Sequence, residues 1–424
     1  MSTQLRNTWK PLTSDAIFYY LITATIILAS YGQYLRRYDF PFLQDIKAQP
    51  AGVYVVLLGF AISVIFWTQL PFNLPKSIIS KLFFFALIGS WASSLVVAVI
   101  HDDLFTHSVW LYGLILILVF LKMPTVEILY STVYFAAWLL AGVLVLTRSL
   151  EIFGVIEVAK IPTGLVEFEI ANYWLPLKGS LGPDFRWPGP MGHNAETGLI
   201  GAFLVVIGFN HKRVGGILLG LVGVITLLLT SSRVSMIVAV VGVAIIFAFG
   251  DNAITRRLTL KIRLTVLASV VVLTGLVAYR ASPNLTGRLG FWEAYLSEWS
   301  SSPLIGVGRS AIASEDGAFA VSNGSAHNLV IDALSKSGIF VATFVLAAMV
   351  ISLLIVVPVA LKGYPLPFAL SAVFLINGLS QADQSWTTPS TPMWLFLLGT
   401  WLAVTYSQRD PANQSEGAIE SLRT

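Results

Sequence analysis

Long apolar runs alternate with short polar connections along almost the whole chain. The first such run extends from Ala16 to about Tyr31, and runs of similar length follow it. A helix needs about 20 apolar residues to cross the hydrocarbon core of a bilayer. By this criterion the pattern predicts about twelve membrane-spanning helices, near residues 16–31, 51–70, 79–100, 104–121, 126–147, 195–210, 214–230, 234–249, 264–279, 338–361, 364–380 and 391–407.

Two longer polar segments and a polar tail interrupt these groups of spans. The predicted parts in chain order are 1–147 with spans one to five, 148–194 as a loop, 195–280 with spans six to nine, 281–336 as a late loop with amphipathic helices, 337–408 with spans ten to twelve, and 409–424 as a disordered tail. No cleavage site follows the first run, so we interpret it as a retained span rather than a signal peptide.

Composition supports an all-α polytopic membrane protein. Hydrophobic residues make up 56% of the chain and charged residues only 11%, whereas soluble domains carry about 25% charged residues. The chain has no cysteine, which excludes disulfides and thiolate chemistry. The net charge of +4 is spread over loops and does not indicate nucleic-acid binding.

The distribution of basic residues predicts the orientation. Short cytoplasmic loops are rich in Lys and Arg, and an inside N-terminus gives inner connections that hold Lys76, Lys81, Lys122, Lys212, Arg213, Arg256, Arg257, Lys261, Arg263 and Lys362. The loop after span one, with Arg36, Arg37 and Lys47, is the exception. We therefore expect both termini in the cytoplasm and the segments 148–194 and 281–336 on the outer face.

Arginines on that outer face lie close to the predicted membrane surface. They are Arg186, Arg233, Arg280, Arg288 and Arg309. The planar guanidinium group matches phosphate oxygens, which favours binding of a diphosphate. The alternative is that these side chains reach lipid headgroups. For Arg233 that alternative is weaker, since a charge in the apolar run TLLLTSSRVSMIVAV costs about 3 kcal/mol unless it has a partner.

The segment FRWPGPMGHN precedes span six and is rich in turn-forming residues. Asn194 is predicted to cap the following helix, whose first amides could bind an anion together with Arg186. His193 lies beside the cap, where a structural role is the alternative to binding.

An amphipathic helix is predicted within the late loop, starting near Asn284 or Thr286. Trp292, Tyr295, Leu296 and Trp299 recur at helical spacing and indicate an aromatic face. Because Trp and Tyr favour the membrane interface, we expect this helix to cover the outer leaflet as a lid. A packed helix without a ligand is the alternative.

His327 is predicted to open the next helix. Val330, Ile331 and Leu334 give that helix an apolar face, and Asp332 and Lys336 are spaced to pair. A neutral imidazole can accept a proton near neutral pH, as a hydroxyl nucleophile requires. A capping or core histidine is the alternative.

Four motifs occur in an order that resembles one family. FRWPGPMGHN, TSSRVS, TGRLGFW and SAHNLVIDAL resemble segments of the O-antigen ligase and O-antigen polymerase superfamily, although TSSRVS lacks the glycine that often follows the arginine in relatives. The resemblance implies a GT-C-like membrane glycosyltransferase. It assigns functional roles to Arg186, Arg233, Arg288 and His327. With the outer-face pattern, we expect Arg186, Arg233, Arg288 and Arg309 to bind the diphosphate and His327 and Arg288 to act in catalysis. We expect supporting roles for His193, Asn194, Trp292 and Asn328.

The implied reaction is transfer of a glycan from undecaprenyl diphosphate to lipid A-core at the outer face of the bacterial inner membrane. We expect inversion without a covalent intermediate, because no carboxylate pair stands near these groups. We also expect a metal-independent reaction with no cofactor, since the sequence has no cysteine and no convincing metal cluster. The closest alternative is an O-antigen polymerase. Two others are a lipid-linked glycan flippase and a metal-dependent glycosyltransferase, whose ligands would be His101, Asp102, Asp103 and His107.

Overall fold

The computed structural model describes residues 13–35, 59, 66–67, 74–101, 119, 121–154, 187, 189–191, 194–211, 213–250, 258–281, 288–308, 326–380 and 390–408. Every regular element within these ranges is helical. The α-helices are α1 (Ser14–Leu35), α2 (Ile78–Ile100), α3 (Val126–Ile152), α4 (Asn194–Asn210), α5 (Val214–Thr230), α6 (Arg233–Phe249), α7 (Leu260–Ala281), α8 (Arg288–Ser301), α9 (Leu329–Leu361), α10 (Leu366–Ser380) and α11 (Thr391–Ser407). A 3₁₀ turn covers Gly189–Met191.

Within the described ranges the predicted all-helical fold is confirmed, and the apolar helices are consistent with a polytopic membrane protein. Three helices, α2, α3 and α9, are long and apolar enough to cross a bilayer, and α1, α4, α5, α6 and α10 contain shorter apolar stretches. Predicted spans near 51–70 and 104–121 lie almost wholly outside the described residues, as does the tail 409–424. The number of spans therefore stays a prediction.

Polar caps begin several of these helices where the apolar runs begin. The side chains of Ser77 and Thr125 accept the amides of Ser80 and Ile128 at the starts of α2 and α3. Ser390 does the same at α11, where Pro392 occupies the first turn. Such residues satisfy amides that have no partner within the helix.

Two helices form the centre of the bundle. Every residue of α11 from 391 to 404 is buried, as is every residue of α4 from 195 to 204. Glycines let α4 and α5 approach closely: a Cβ on Gly201 would lie 3.0 Å from the Gly223 carbonyl oxygen, and one on Gly208 would lie 2.5 Å from that of Gly216. Close packing through small residues is a common way for helices to associate in membranes.

Helix α7 lies at the periphery of the bundle. No residue between 260 and 276 is buried, and the half-buried positions Arg263, Leu267, Val270 and Thr274 form one narrow stripe. The helix packs against α6. Its other faces are apolar, which suits contact with lipid.

Helix α9 has a sharp kink at Gly338, whose φ of 80° is in the left-handed region. We call residues 303–308, which pack onto this kink, the docking turn. The amides of Val307 and Gly308 donate to the carbonyls of Ser335 and Lys336 at 2.8 and 3.2 Å. The turn thus joins the end of α8 to the middle of α9.

The ends of the helices can be assigned to two sides of the bundle. Helices α6 and α10 are antiparallel, because Phe249 at the end of α6 contacts Phe368 at the start of α10, with ring centroids 5.9 Å apart. Arg233 therefore lies on the same side as the end of α10, where the Leu379 carbonyl accepts the side-chain amide of Asn328 at 3.0 Å. We call this side the His327 end.

Candidate functional site

His327 has an unusual backbone conformation. Its φ is 50°, in the left-handed region, which is unfavourable for residues with a Cβ and concentrates at functional sites. Within the described ranges, only Ser231 shares this property among non-glycine residues. Ser231 belongs to the TSSRVS motif and His327 to SAHNLVIDAL, so both strained residues fall in motifs selected from the sequence.

The structure corrects the position of His327 relative to its helix. Helix α9 begins at Leu329 and Asn328 is its cap, so His327 precedes the helix rather than opening it. The Asn328 side-chain oxygen accepts the amides of Val330 and Ile331 at 3.0 and 3.1 Å. Together with its bond to the Leu379 carbonyl, this cap fixes the chain directly after His327 to α10.

Ala326, the residue before His327, is also held by hydrogen bonds. The carbonyl of Ala326 accepts the indole N–H of Trp292 at 2.9 Å. Its amide donates to Oδ1 of Asp332 at 3.3 Å. Ala326 and Tyr295 are fully buried in a small apolar cluster with Val307 and Ile331 packed around them, which attaches α8 to the start of α9.

The His327 imidazole lies beside α8. Its centroid is 5.8 Å from that of Phe291, its Nδ1 atom is buried, and the residue as a whole is half-buried. Helix α8 begins at Arg288, one turn before Phe291 and Trp292. The described part of α8 thus starts later than the predicted Asn284 or Thr286, because residues 282–287 are outside it.

The two helices bury their predicted faces to different extents. On α8, Tyr295 is buried and Trp292 and Trp299 are half-buried, but Leu296 is exposed. On α9, the buried residues of the first turns are Leu329, Asp332 and Ser335, whereas Val330, Ile331 and Leu334 are half-buried. The predicted pair of Asp332 and Lys336 is confirmed, at 2.7 Å.

The TSSRVS turn forms a second part of the His327 end. Ser231 is the cap that follows the last residue of α5. Arg233 is the first residue of α6 and is half-buried. The Ser235 hydroxyl lies 2.7 Å from that of Ser232 and donates to the Ala195 carbonyl at 3.3 Å. These bonds join the start of α6 to the start of α4.

Asn194 also differs from its predicted role. It is the first residue of α4, and its side-chain amide donates to the Thr230 carbonyl at 3.4 Å instead of capping the helix. Nearby, Gly189 has a φ of 61° and packs directly against Thr197. This contact explains why the turn contains glycine.

Trp187 and Glu151 were not identified from the sequence. The Trp187 indole donates to both carboxylate oxygens of Glu151 at 2.9 and 2.8 Å, and its amide donates to the Leu229 carbonyl at 3.1 Å. Arg148 forms an ion pair with Glu151 at 2.8 Å. The predicted span ended at 147, which placed Glu151 in a loop, whereas α3 continues to Ile152. Trp187 is the neighbour of Arg186, so these bonds position the chain directly after that arginine.

Several predicted site residues fall outside the described residues. Arg186, His193 and Arg309 do so, as do three of the four residues of the metal alternative, Asp102, Asp103 and His107. The fourth, His101, lies within the described residues. It is the cap that follows α2, and its ring packs against Gly308 of the docking turn. Among described residues, no group of three or more His, Asp or Glu could hold a metal ion.

The arrangement therefore brings the described candidates to one end of the bundle. His327, Trp292 and Asn328 are joined by direct contacts or by adjacent peptides, and Asn194 and Arg233 start neighbouring helices at that end. Such a surface combines a histidine with helix starts that carry arginines. It is suited to an anionic ligand with a hydroxyl-bearing partner.

Comparison with known proteins identifies one family for part of the chain. Residues 217–346 match the family model described as O-antigen ligase. This range contains TSSRVS, TGRLGFW and SAHNLVIDAL, and therefore Arg233, Arg288 and His327. No curated protein matches the chain. The resemblance inferred from the motifs is confirmed, because residues 217–346 are similar to the O-antigen ligase family.

Proposed function

We propose that the protein is an O-antigen ligase, which transfers a glycan from undecaprenyl diphosphate to lipid A-core in lipopolysaccharide biosynthesis. The observation that carries this proposal is the pair of left-handed residues, Ser231 and His327. Both lie in the region that matches the family and in the two motifs that hold Arg233 and the histidine. Strained residues persist where the surrounding structure fixes them, and they concentrate at functional sites.

The arginines bind the diphosphate in this proposal. Arg233 begins α6, so the backbone amides there add to the positive potential at that position, and Arg288 is the first described residue of α8. Arg186 and Arg309 contribute from the adjoining segments. Neutralising the charge on the diphosphate makes it a better leaving group, which is a task for fixed cations rather than for a strong acid.

His327 acts on the acceptor. Its imidazole takes the proton from a hydroxyl of lipid A-core as that oxygen attacks the anomeric carbon of the glycan. The bond from this carbon to the diphosphate breaks, and undecaprenyl diphosphate leaves with the electron pair. One displacement inverts the anomeric configuration and needs no covalent intermediate. Asn328 and Trp292 support the reaction by holding the peptides on either side of His327.

The lipid substrates and the orientation complete the proposal. The His327 end faces the periplasm at the bacterial inner membrane, with both termini in the cytoplasm, as the distribution of Lys and Arg predicts. The donor tail stays in the bilayer while its diphosphate reaches the helix starts. Helix α8, with its exposed Leu289 and Leu296, lies along the leaflet surface.

A transfer assay with two acceptors tests the function. Purified protein in nanodiscs receives undecaprenyl diphosphate-linked glycan together with lipid A-core, and the products are separated by gel and mass spectrometry. The proposal predicts glycan attached to lipid A-core. Longer lipid-linked glycan without modified lipid A-core would instead identify an O-antigen polymerase, which uses a second lipid-linked glycan as acceptor.

A further inference from the structure

A buried carboxylate lies directly behind the His327 segment. Asp332 is in the first turns of α9 and only 7% exposed. Its Oδ1 atom accepts the amide of Ala326 at 3.3 Å and lies 2.7 Å from Nζ of Lys336. The same carboxylate oxygen therefore accepts the amide of Ala326, the residue before His327, and forms an ion pair with Lys336 one turn further along α9.

A buried negative charge at this place needs a physical reason. Burial disfavours an ionised carboxylate unless it is paired and hydrogen-bonded, and a site for a diphosphate is a poor environment for a further anion. Lys336 neutralises the charge, with its side chain only 17% exposed. The pair thus places a strong acceptor at the His327 end without adding net charge.

That acceptor contributes to the conformation of His327. Both backbone polar groups of Ala326 are held by hydrogen bonds. Its amide donates to the Asp332 carboxylate, and its carbonyl accepts the Trp292 indole N–H. The following residue, Asn328, is fixed to α10. His327 lies between these fixed points with a φ of 50°, which it keeps because its neighbours cannot move independently.

We propose that Asp332 is a positioning residue for His327, with its carboxylate oxygen holding the Ala326 amide and Lys336 balancing its charge. Asp332 touches neither substrate. Its effect is on the placement of the imidazole relative to the acceptor hydroxyl. This inference rests on the proposed transfer reaction.

Three substitutions test this role in the purified full-length protein, assayed as above for kcat and for the donor KM. Asp332→Asn keeps an oxygen acceptor and removes the charge, so kcat should stay within about threefold of the parent. Asp332→Ala and Asp332→Leu remove the acceptor, and Leu also fills the volume. Both should lower kcat about 10- to 100-fold with an unchanged donor KM, because a shift of about 1 Å can cost a factor of about 10² in rate.

Glu298→Ala is the matched control. Glu298 is an exposed carboxylate on α8, so its removal changes the net charge equally and should leave kcat at the parent value. The melting temperature of each variant is measured in the same nanodiscs. An equal loss of kcat in Asp332→Asn and Asp332→Ala would overturn the proposal in favour of a charge effect.

The remaining outcomes are also decisive. Parent-like kcat in Asp332→Ala or Asp332→Leu overturns the positioning role. So does a loss of kcat that follows a fall in melting temperature across all three variants, since it assigns the residue to folding. A parent protein that transfers nothing to lipid A-core contradicts the proposed function instead, and so the two failures are distinguishable.

Discussion

His327 and Ser231 hold left-handed conformations that residues with a Cβ rarely adopt. Each costs about 1–3 kcal/mol, which the surrounding contacts must offset. At His327 those contacts come from α8, α9 and α10, through Trp292, Asp332 and Leu379. These contacts hold the backbone on both sides of the imidazole, and in the proposed reaction such preorganisation would reduce the rearrangement needed on substrate binding.

Two substitutions of His327 distinguish the role of its imidazole in the reaction from the effect of its left-handed backbone conformation. His327→Ala should lower transfer by a factor of about 10²–10⁴, the usual contribution of a general base. His327→Asn should be equally inactive although asparagine tolerates the left-handed region. Binding of the lipid-linked donor, measured by fluorescence titration, should stay at the parent value in both variants. Much weaker donor binding would assign the histidine to the diphosphate, and near-parent turnover would remove it from the reaction.

Arginine geometry provides a second test at this scale. Arg288→Lys and Arg186→Lys keep the charge but lose the paired N–H groups that match phosphate oxygens. Each should lose most of the transfer activity and weaken donor binding while membrane insertion is unchanged. Transfer by Arg288→Lys at the parent rate would be incompatible with bidentate phosphate binding.

The candidates at residue scale could be predicted because their types are unusual where they stand. A histidine between long apolar runs, and an arginine inside TLLLTSSRVSMIVAV, are conspicuous in the sequence. The left-handed φ of His327 could not be predicted, since it depends on contacts with Trp292 and Leu379, which are distant in sequence. Glu151 could not be identified for the same reason, because its partner Trp187 lies 36 residues further along the chain.

At the scale of elements, the docking turn connects α8 to the kink in α9. Two features require glycine at position 338. Its φ is in the left-handed region, and a Cβ there would collide with the Leu304 carbonyl. Gly306 likewise faces the Ser335 carbonyl, 2.6 Å from where its Cβ would be. Backbone hydrogen bonds can then form between the two segments without side chains between them.

Gly338→Ala should therefore displace the docking turn and with it the end of α8. We expect a lower melting temperature and transfer reduced at least about tenfold, since misplacing the groups around the reacting atoms is costly. Gly363→Ala is the matched control. Its φ of 91° is also left-handed, but nothing lies within 4 Å of its Cβ position. It should lose some stability and keep transfer; equal losses of transfer in both variants would show that strain alone matters.

The opposite end of the bundle contains a polar cluster between α3 and α4. The His211 ring lies 4.6 Å from that of Tyr134, and the Asn210 side chain donates to the hydroxyls of Tyr130 and Tyr134 at 3.2 and 3.3 Å. Burial lowers the pKa of His211, and the nearby Arg213 adds to this effect. The folded protein thus favours the neutral imidazole.

This lowered pKa predicts a loss of stability in acid. The unfolded chain takes up the proton at the ordinary value of about 6.5, so the folded state loses stability as pH falls below that value. Thermal unfolding of the parent between about pH 7.5 and pH 5.5 should show a larger drop than His211→Gln, which has no proton to take up. An identical drop in both proteins would exclude His211 as the cause.

For the whole molecule, the apolar runs predict the helices better than they predict the contacts between them. Helix α2 was expected at 79–100 and is found at Ile78–Ile100, and α11 was expected and found at 391–407. Run length and a polar cap determine such an element locally. The packing of α11 depends instead on partners far along the chain, such as Thr23, whose hydroxyl accepts the indole N–H of Trp394 at 2.9 Å.

The arrangement of helix ends has a functional consequence at this scale. The starts of α4, α6 and α9 and the ends of α5 and α10 meet on the side that carries His327, whereas the polar cluster around His211 lies on the other side. A lipid-linked donor that stays in the bilayer must present its diphosphate to one side or the other. The central claim is that it does so at the His327 end.

A structure of the protein with bound undecaprenyl diphosphate tests this claim most directly. We expect density for the diphosphate at the His327 end, beside the described starts of α6 and α8. Arg233 and Arg288 should lie within hydrogen-bonding distance of phosphate oxygens, and His327 should face the space for the acceptor. A diphosphate bound at the His211 end, or held at the His327 end without either arginine, would contradict it.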